Sequence, residues 1–269
     1  MMSLPPLPAT YDLTAAQITQ FREQGFVILR GLLNADEVAA YRAAIKDAAT
    51  KTFEAQDNIL SFEGAFQQAQ NLRLQSEVVA AFCLSPRLGA VAAGLLGADA
   101  VRVYHDQALF KPGHTGPSYW HQDQYFWPLD TPMSLGLWMP LVPITPEMGC
   151  MRYAAKSHEL GDLGQHTINQ ESETFFDGII GDNKLDVFED EHFAPGDCAF
   201  HSGWTIHGAK ANQTDTMREA MVVTFYPDGT RVTEFKNGYQ EYDAKTFLGG
   251  KKPGEMADSP LNPVVWPTS

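Results

Sequence analysis

The sequence predicts a mainly β fold with flanking helices, built as a sandwich or barrel of many short strands. Three observations carry that reading. After Asp99 the chain becomes a succession of short β-branched and aromatic runs, VRVYHDQALF, SLGLWMPLV, HFAPGDCAFH and EAMVVTFYP, separated by Pro and Gly turns. Before Asp99 the apolar residues fall at helical spacing. The chain has 269 residues, 44% hydrophobic and 19% charged, which suits one large core; all-β units can reach ~250 residues as a single domain. No repeat, low-complexity tract or linker divides it. The expected organisation is a single domain over 1–269, with a helical N-terminal part at about 10–97, a β core at about 100–230 and a C-terminal extension at 231–269.

Each element has a local reason. Leu13, Ile18, Phe21 and Phe26 lie near helical spacing, and Gly25 stands where that helix should stop. FVILRGLL reads as a short strand. Asn34 is a good N-cap, with Asp36 and Glu37 in the first turn, where the helix dipole favours negative charge. Val38, Tyr41, Ile45 and Ala48 supply its apolar stripe, so the spacing predicts a helix over 35–57. A third helical stretch covers 75–96, broken near Pro86 and ended by Gly97. Residues 160–190 are polar without clear periodicity and read as a long loop or lid, and long loops in compact domains are often functional.

Composition narrows the function classes. Nineteen basic against 33 acidic side chains give a formal charge of −14, the wrong sign for a nucleic-acid or anionic-membrane partner. No apolar run is expected to reach the ~20 residues of a membrane span. MMSLPPLPAT has neither the basic nor the apolar region of a secretory signal. Cys83, Cys150 and Cys198 are too few and too scattered for a disulfide framework or a zinc cluster. They read as buried thiols in a reducing, cytoplasmic setting. A small-molecule substrate is the expected partner, and no feature of the sequence sets an oligomeric state.

The chemistry concentrates in two segments. In Tyr119-Trp120-His121-Gln122-Asp123-Gln124, residues i and i+2 of a strand share a face, so His121 and Asp123 would project together. One imidazole and one carboxylate make two-thirds of a facial metal triad. The third ligand must be another histidine. Downstream, Pro195-Gly196-Asp197 feeds a strand that carries His201, with His207 six residues on, and both could occupy one strand face. Arg218 follows on the next strand. A metal-bound 2-oxoacid chelates through its keto oxygen and near carboxylate, and its far carboxylate needs a fixed cation, for which the planar guanidinium is suited.

These segments resemble the phytanoyl-CoA dioxygenase family of Fe(II)/2-oxoglutarate-dependent oxygenases. The resemblance rests on Trp120-His121-Gln122-Asp123, on Gly149-Cys150-Met151-Arg152-Tyr153 with Lys156-Ser157-His158, and on Pro195-Gly196-Asp197 leading to His207 and Arg218. It spans about 100–227, and the QFREQGFVILRGLLNADEV stretch is similar to the family's N-terminal part. It implies a double-stranded β-helix (a cupin-like jelly roll), with Fe(II), 2-oxoglutarate and O2 as cofactor and cosubstrates. It implies His121, Asp123 and His207 as iron ligands, leaving His201 a supporting role. Arg218 would hold the far carboxylate of 2-oxoglutarate. Lys111, Gln107 and Trp138 would border the same pocket. The chain departs from the family at Ala155, Lys156, Ser157 and His158, where Pro-Gly-Ser-His is common. It departs again at Ala209, where many relatives carry a hydroxyl.

The implied activity is hydroxylation of a small organic metabolite, with succinate and CO2 as co-products. Asp123 argues against halogenation, since halogenating relatives lack a carboxylate there. Two other classes are a cupin-like non-redox isomerase or lyase using the same His/Asp/His set, and a silent binding protein. Arg218 argues against the first, and the intact set of four residues against the second. Alternation along the strand would turn part of the aromatic cluster at 119–127 toward the metal, which makes Tyr125 and Trp127 expected substrate contacts, with Asp130 and Arg152 as polar ones. His158 reads as a turn residue, and His105, His114, His166 and His192 as surface or core histidines.

Overall fold

A computed structural model describes residues 7, 11–164, 167–190 and 192–267. The N-terminal helices begin and end on the residues that the sequence marks. Helix α1 (Ala15–Gln24) starts in a capping box between Thr14 and Gln17 and stops at Gly25, whose φ of 82° lies in the left-handed region. Strand β1 (Phe26–Leu29) follows. Helix α2 (Ala35–Ala55) starts in a second capping box, Asn34 with Glu37. Glu37 also pairs with Arg87 at 2.9 Å, both side chains being buried. Strand β2 (Gln67–Gln70) precedes α3 (Glu77–Cys83) and α4 (Pro86–Leu96). Ser85 caps α4, Pro86 opens it and Gly97 (φ 69°) closes it.

One expectation about this region needs correcting. Glu77–Leu96 is in fact 20 residues long with a mean hydropathy of 1.7, enough by length and composition for a membrane span. The structure divides it into α3 and α4, and both pack into the core through Val79, Phe82, Leu88, Val91 and Leu95.

The strands form two antiparallel sheets. The larger comprises β1, β2, β3 (Val101–Lys111), β5 (Leu135–Pro140), β8 (Cys198–Ser202), β10 (Arg218–Pro227) and β11 (Val264–Trp266). Its order is β1-β8-β5-β10-β3-β11, and β2 pairs with the C-terminal half of β3. The smaller comprises β4 (Ser118–His121), β6 (Met151–Ala154), β7 (Val187–Glu189) and β9 (His207–Ala209), in the order β4-β9-β6-β7.

Alternation along the large sheet decides what packs where. Leu135, Leu137 and Met139 of β5, Cys198 and Phe200 of β8, and Met221, Val223 and Phe225 of β10 join the helices in one apolar core. Their neighbours Trp138, Ala199, Ala220 and Val222 point the other way and pack with Met151, Tyr153 and Ala209 of the small sheet. Both faces of the large sheet are thus covered, which is why β10 is buried from Arg218 to Tyr226. The result is a double-stranded β-helix with helices against one face.

Two segments differ from expectation. Residues 160–190 are not an irregular loop: they contain α5 (Gln170–Asp182), opened by a capping box at Asn169, and β7. Phe175, Phe176, Ile179 and Ile180 give α5 a helical stripe that packs on Trp120 and Ile206, and the many acidic residues around it disguise that period. Trp120 donates its backbone N–H to Glu173 (2.8 Å) and its indole N–H to Asp177 (2.9 Å), tying α5 to β4. The C-terminal extension is integral to the domain. Helix α6 (Gly238–Phe247) packs on Tyr104 and Trp127, and β11 completes the edge of the large sheet beside β3.

Candidate active site

The convergence of His121, Asp123 and His207 follows from strand pairing. Strands β4 and β9 run antiparallel, with His121 directly opposite His207. Asp123 does not continue β4. It begins a 3-10 turn, Asp123–Tyr125, after one extended residue, Gln122. That turn is pinned to the segment leading into β9: Gln122 donates to the Trp204 carbonyl (2.7 Å), and the Gln124 backbone N–H donates to the Gly203 carbonyl (2.9 Å). The pairing brings ligand atoms of all three residues within 4.8 Å of one another, the one such cluster found among the described residues.

The donor set suits a cation. His121 donates from Nδ1 to the Tyr119 carbonyl (2.7 Å), and His207 from Nδ1 to the Thr205 carbonyl (2.9 Å). That leaves each Nε2 turned toward Asp123 Oδ1, at 3.5 and 3.7 Å. Burial, reinforced by His201 and His121, holds the His207 imidazole well below its usual pKa, so it is neutral. For Asp123 burial pushes the other way, but His207 and the contacts to His121 and His201 outweigh it and keep the carboxyl well below the ordinary range. Ring nitrogens and an ionised carboxylate converging on one point form a donor set that a bound cation would hold together. Imidazole and carboxylate with a second ring nitrogen tied to a carbonyl is the pattern of a non-haem iron site.

His201 has the supporting role. On β8, it directs Nε2 at Asp123 Oδ2 (3.2 Å), and its buried Nδ1 has no hydrogen-bond partner. The facing strand makes room for it at Gly136, paired with His201 in register. A Cβ at Gly136 would lie 3.0 Å from His201 Cε1 and Nε2 and 3.6 Å from Asp123 Oδ2. Gly136→Ala is therefore expected to cost about 1–3 kcal/mol of stability through overpacking and to weaken iron binding by displacing the carboxylate. Thermal unfolding and an Fe(II) titration on the same sample check this, and unchanged iron affinity would show that the contact does not position Asp123.

Arg218 begins β10 at the same end of the barrel. It is 1% exposed, donates from Nη1 to the Gly149 carbonyl (2.7 Å), and leaves its buried Nε without a partner. Trp138 lies beneath it, 5.8 Å from guanidinium carbon to ring centroid. No carboxylate pairs with it among the described residues. Burial lowers its pKa to about 10, so it stays charged at neutral pH. Lys111 is its cross-strand neighbour on β3. It is also fully buried, donates to the Gly116 carbonyl, and is lowered to about 6 by burial and by the Arg218 charge. At neutral pH Lys111 is therefore largely uncharged, and Arg218 is a buried cation without an acidic partner among the described residues, costly unless an anion arrives.

A cavity of about 290 Å³ joins these groups, between the two sheets. His121, Asp123, His207 and Arg218 line it, as do Gln107 and Trp138. Lys111 stands behind this wall. Trp127 also lines it, but Tyr125 does not. Because Asp123–Tyr125 is a 3-10 turn rather than strand, Tyr125 faces a second cavity with Trp204 and Lys236, and Phe126 takes the place expected for it. Asp130 accepts from the Arg231 backbone N–H, and Arg152 pairs with Glu173 at 2.5 Å and stacks on Trp120, so neither reaches the cavity. His158 binds the Arg22 carbonyl, and His114 pairs with Asp215. His192 contributes its carbonyl to Arg30. His166 lies outside the described residues. Sequence reasoning missed other parts of the wall, among them Phe62 and Phe66 before β2, His105 on β3, and Asp243 and Phe247 on α6. Only the fold brings these residues to the metal end, and no spacing along the chain signals it.

The family profile described as phytanoyl-CoA dioxygenase (PhyH) matches residues 21–220. The chain belongs to this family. Phytanoyl-CoA dioxygenase 1 of Oryza sativa subsp. japonica is 27% identical over 252 residues, 80% of this chain and 89% of the rice protein. The ectoine dioxygenase of Stutzerimonas stutzeri (strain A1501) is 29% identical over 130 residues, 45% of this chain, and the match spans only 41% of that protein. The crystal structure of the epimerase SnoN from nogalamycin biosynthesis, in complex with Fe3+, alpha ketoglutarate and nogalamycin RO, superposes with a TM-score of 0.76 at 22% identity over 93% of this chain and 97% of that one. This likeness confirms the double-stranded β-helix. The cofactors that the PhyH-family site fits are non-haem Fe(II), 2-oxoglutarate and O2.

Proposed function

We propose that the protein is an Fe(II)/2-oxoglutarate-dependent dioxygenase that hydroxylates a small organic molecule, with succinate and CO2 as co-products. The observation that carries this is the pairing of a His/Asp/His cluster with a buried, anion-free guanidinium in one cavity. Bound iron with 2-oxoglutarate supplies oxidative decarboxylation and an oxidant able to attack a C–H bond.

The chain's own residues account for the rest. His121, Asp123 and His207 would hold the metal from one side, leaving its other side open to the cavity. His201 would keep the Asp123 carboxylate turned, and the Tyr119 and Thr205 carbonyls would hold the imidazole tautomers. Arg218 would receive the far carboxylate of 2-oxoglutarate, with Trp138 as the apolar wall beside it and Lys111 behind it, able to take up a proton once that carboxylate offsets the Arg218 charge. Ala209 offers no hydroxyl, but Ser118 is its cross-strand partner, lines the cavity and carries one. Trp127 and Phe126 would exclude water around the substrate. The three cysteines are buried free thiols, which supports a reducing, cytoplasmic setting.

A non-redox isomerase or lyase on the same ligands has no use for Arg218 at this position. Hydroxylation against another oxidative outcome turns on which C–H bond faces the metal; the similar SnoN is an epimerase. The test is to load the purified protein anaerobically with Fe(II) and 2-oxoglutarate, admit O2 and measure succinate. Iron-dependent succinate is expected. An iron-loaded protein that forms none under a broad set of small molecules would overturn the proposal.

A further inference from the structure

The end of the cavity remote from Arg218 has its own chemistry, which the cofactors do not use. Asp243 of α6 is 8% exposed and lines the cavity. Its Oδ2 accepts from the Tyr104 hydroxyl at 2.8 Å, and Oδ1 has no hydrogen bond among the described residues. Among the described residues no basic side chain pairs with it. Among the described residues Arg218, at the cosubstrate end, is the one Lys or Arg side chain lining the cavity. Aromatic rings line the same region as Asp243: Phe126, Trp127, Tyr239, Tyr242 and Phe247. Apart from the Asp123 carboxylate, the polar groups on β3 beside Asp243 carry no positive charge. Gln107 contacts His105, and burial lowers the His105 pKa to about 3.

A buried carboxylate that lacks a cation is costly unless something supplies one. Burial raises the Asp243 pKa to about 8, opposed by the Tyr104 hydrogen bond and reinforced by the Asp123 charge, so the empty site holds this carboxyl largely protonated at neutral pH, and an arriving cation would draw it into the charged form. Aromatic faces attract cations and are indifferent or hostile to anions. A carboxylate or phosphate placed here would meet Asp243 with no counter-charge, while a protonated amine would meet both a carboxylate and ring faces. The net charge of −14 favours the approach of the same class of molecule.

We propose that the substrate is a small organic cation, anchored through a protonated nitrogen by Asp243 and its aromatic surround. This rests on the oxygenase reading of the same site, and the two can fail separately. The probes are benzylamine, benzyl alcohol and benzoate, which share a ring and differ in the charge of the head group. Binding is measured by calorimetry on the anaerobic Fe(II)·2-oxoglutarate protein. A charge-assisted contact to a buried carboxylate predicts benzylammonium binding about 10- to 100-fold tighter than the alcohol, with benzoate weakest. Asp243→Asn should erase that preference while iron and 2-oxoglutarate affinities stay at wild-type values. The wild-type ranking needs no variant, so a poorly folding Asp243→Asn leaves the test intact. Equal or reversed ranking, no binding of benzylamine at millimolar concentration, or a preference that survives Asp243→Asn would overturn the proposal. Succinate release from the same preparation on admitting O2 tests the oxygenase reading independently.

Discussion

His207→Ala is expected to abolish iron binding and 2-oxoglutarate turnover, whereas His201→Ala is expected only to weaken them. The two rings lie 4.1 Å apart, so proximity does not separate them; hydrogen bonding does. His207 spends Nδ1 on the Thr205 carbonyl and presents Nε2 as a lone pair. His201 spends Nε2 on Asp123 and turns only Nδ1 elsewhere. A residue that orients a ligand typically costs ~10–100-fold in metal affinity or activity when removed, so His201→Ala should fall in that range. Loss of His207 removes a ligand outright and should exceed it. Asp123→Ala should match His207→Ala. An Fe(II) titration of the three variants, with folding checked by circular dichroism, decides the matter. Iron affinity retained in His207→Ala and lost in His201→Ala would exchange the two roles.

The same pair shows what was legible in the sequence. The His-x-Asp motif is visible in the sequence, but strand alternation alone does not bring its two residues together, since Asp123 lies in a 3-10 turn beyond the end of β4. The convergence comes instead from β4 pairing with β9 and from Gln122 and Gln124 bonding to the segment before His207. Beyond that turn strand alternation no longer applies, so Tyr125 faces the second cavity while Trp127 lines the one with the metal ligands. The N-terminal helices were readable because capping is local: Thr14, Asn34 and Ser85 each satisfy backbone N–H groups within three residues. Asp243 was unreadable for the opposite reason. Its partner Tyr104 lies 139 residues away in sequence, and on α6 it looks like any solvated acid. Helix α5 was hidden by composition, because Glu171, Glu173, Asp177 and Asp182 mask four apolar residues at helical spacing.

The two sheets divide the work. Two metal ligands come from the small sheet and the third from the turn after β4. Arg218, Trp138 and Gln107 come from the large one, which is held by packing on both faces. Changes on β10 should therefore affect the cosubstrate without touching the metal.

Arg218 is where this separation can be measured. Its guanidinium is buried, and among the described residues Nε has no partner and no carboxylate answers its charge. A bidentate pair with the far carboxylate of 2-oxoglutarate would satisfy it. Truncating one member of a buried charged pair typically costs ~2–5 kcal/mol, much of it because the other charge stays buried without a partner. At ~1.4 kcal/mol per tenfold, Arg218→Ala should raise the 2-oxoglutarate constant roughly 30- to 3,000-fold. Arg218→Lys keeps the charge and loses the planar fork, so it should fall between wild type and alanine. Iron occupancy should be nearly unchanged in both variants, because Arg218 is not among the ligands. Part of the effect could be offset by relief, since removing an uncompensated buried cation spares its desolvation; higher thermal stability of the cosubstrate-free Arg218→Ala protein would expose that contribution. The measurement is the apparent 2-oxoglutarate constant of the three proteins with iron content alongside. An unchanged constant in Arg218→Ala would remove the cosubstrate assignment and restore the non-redox metalloenzyme as a reading, because this buried guanidinium is what separates the two.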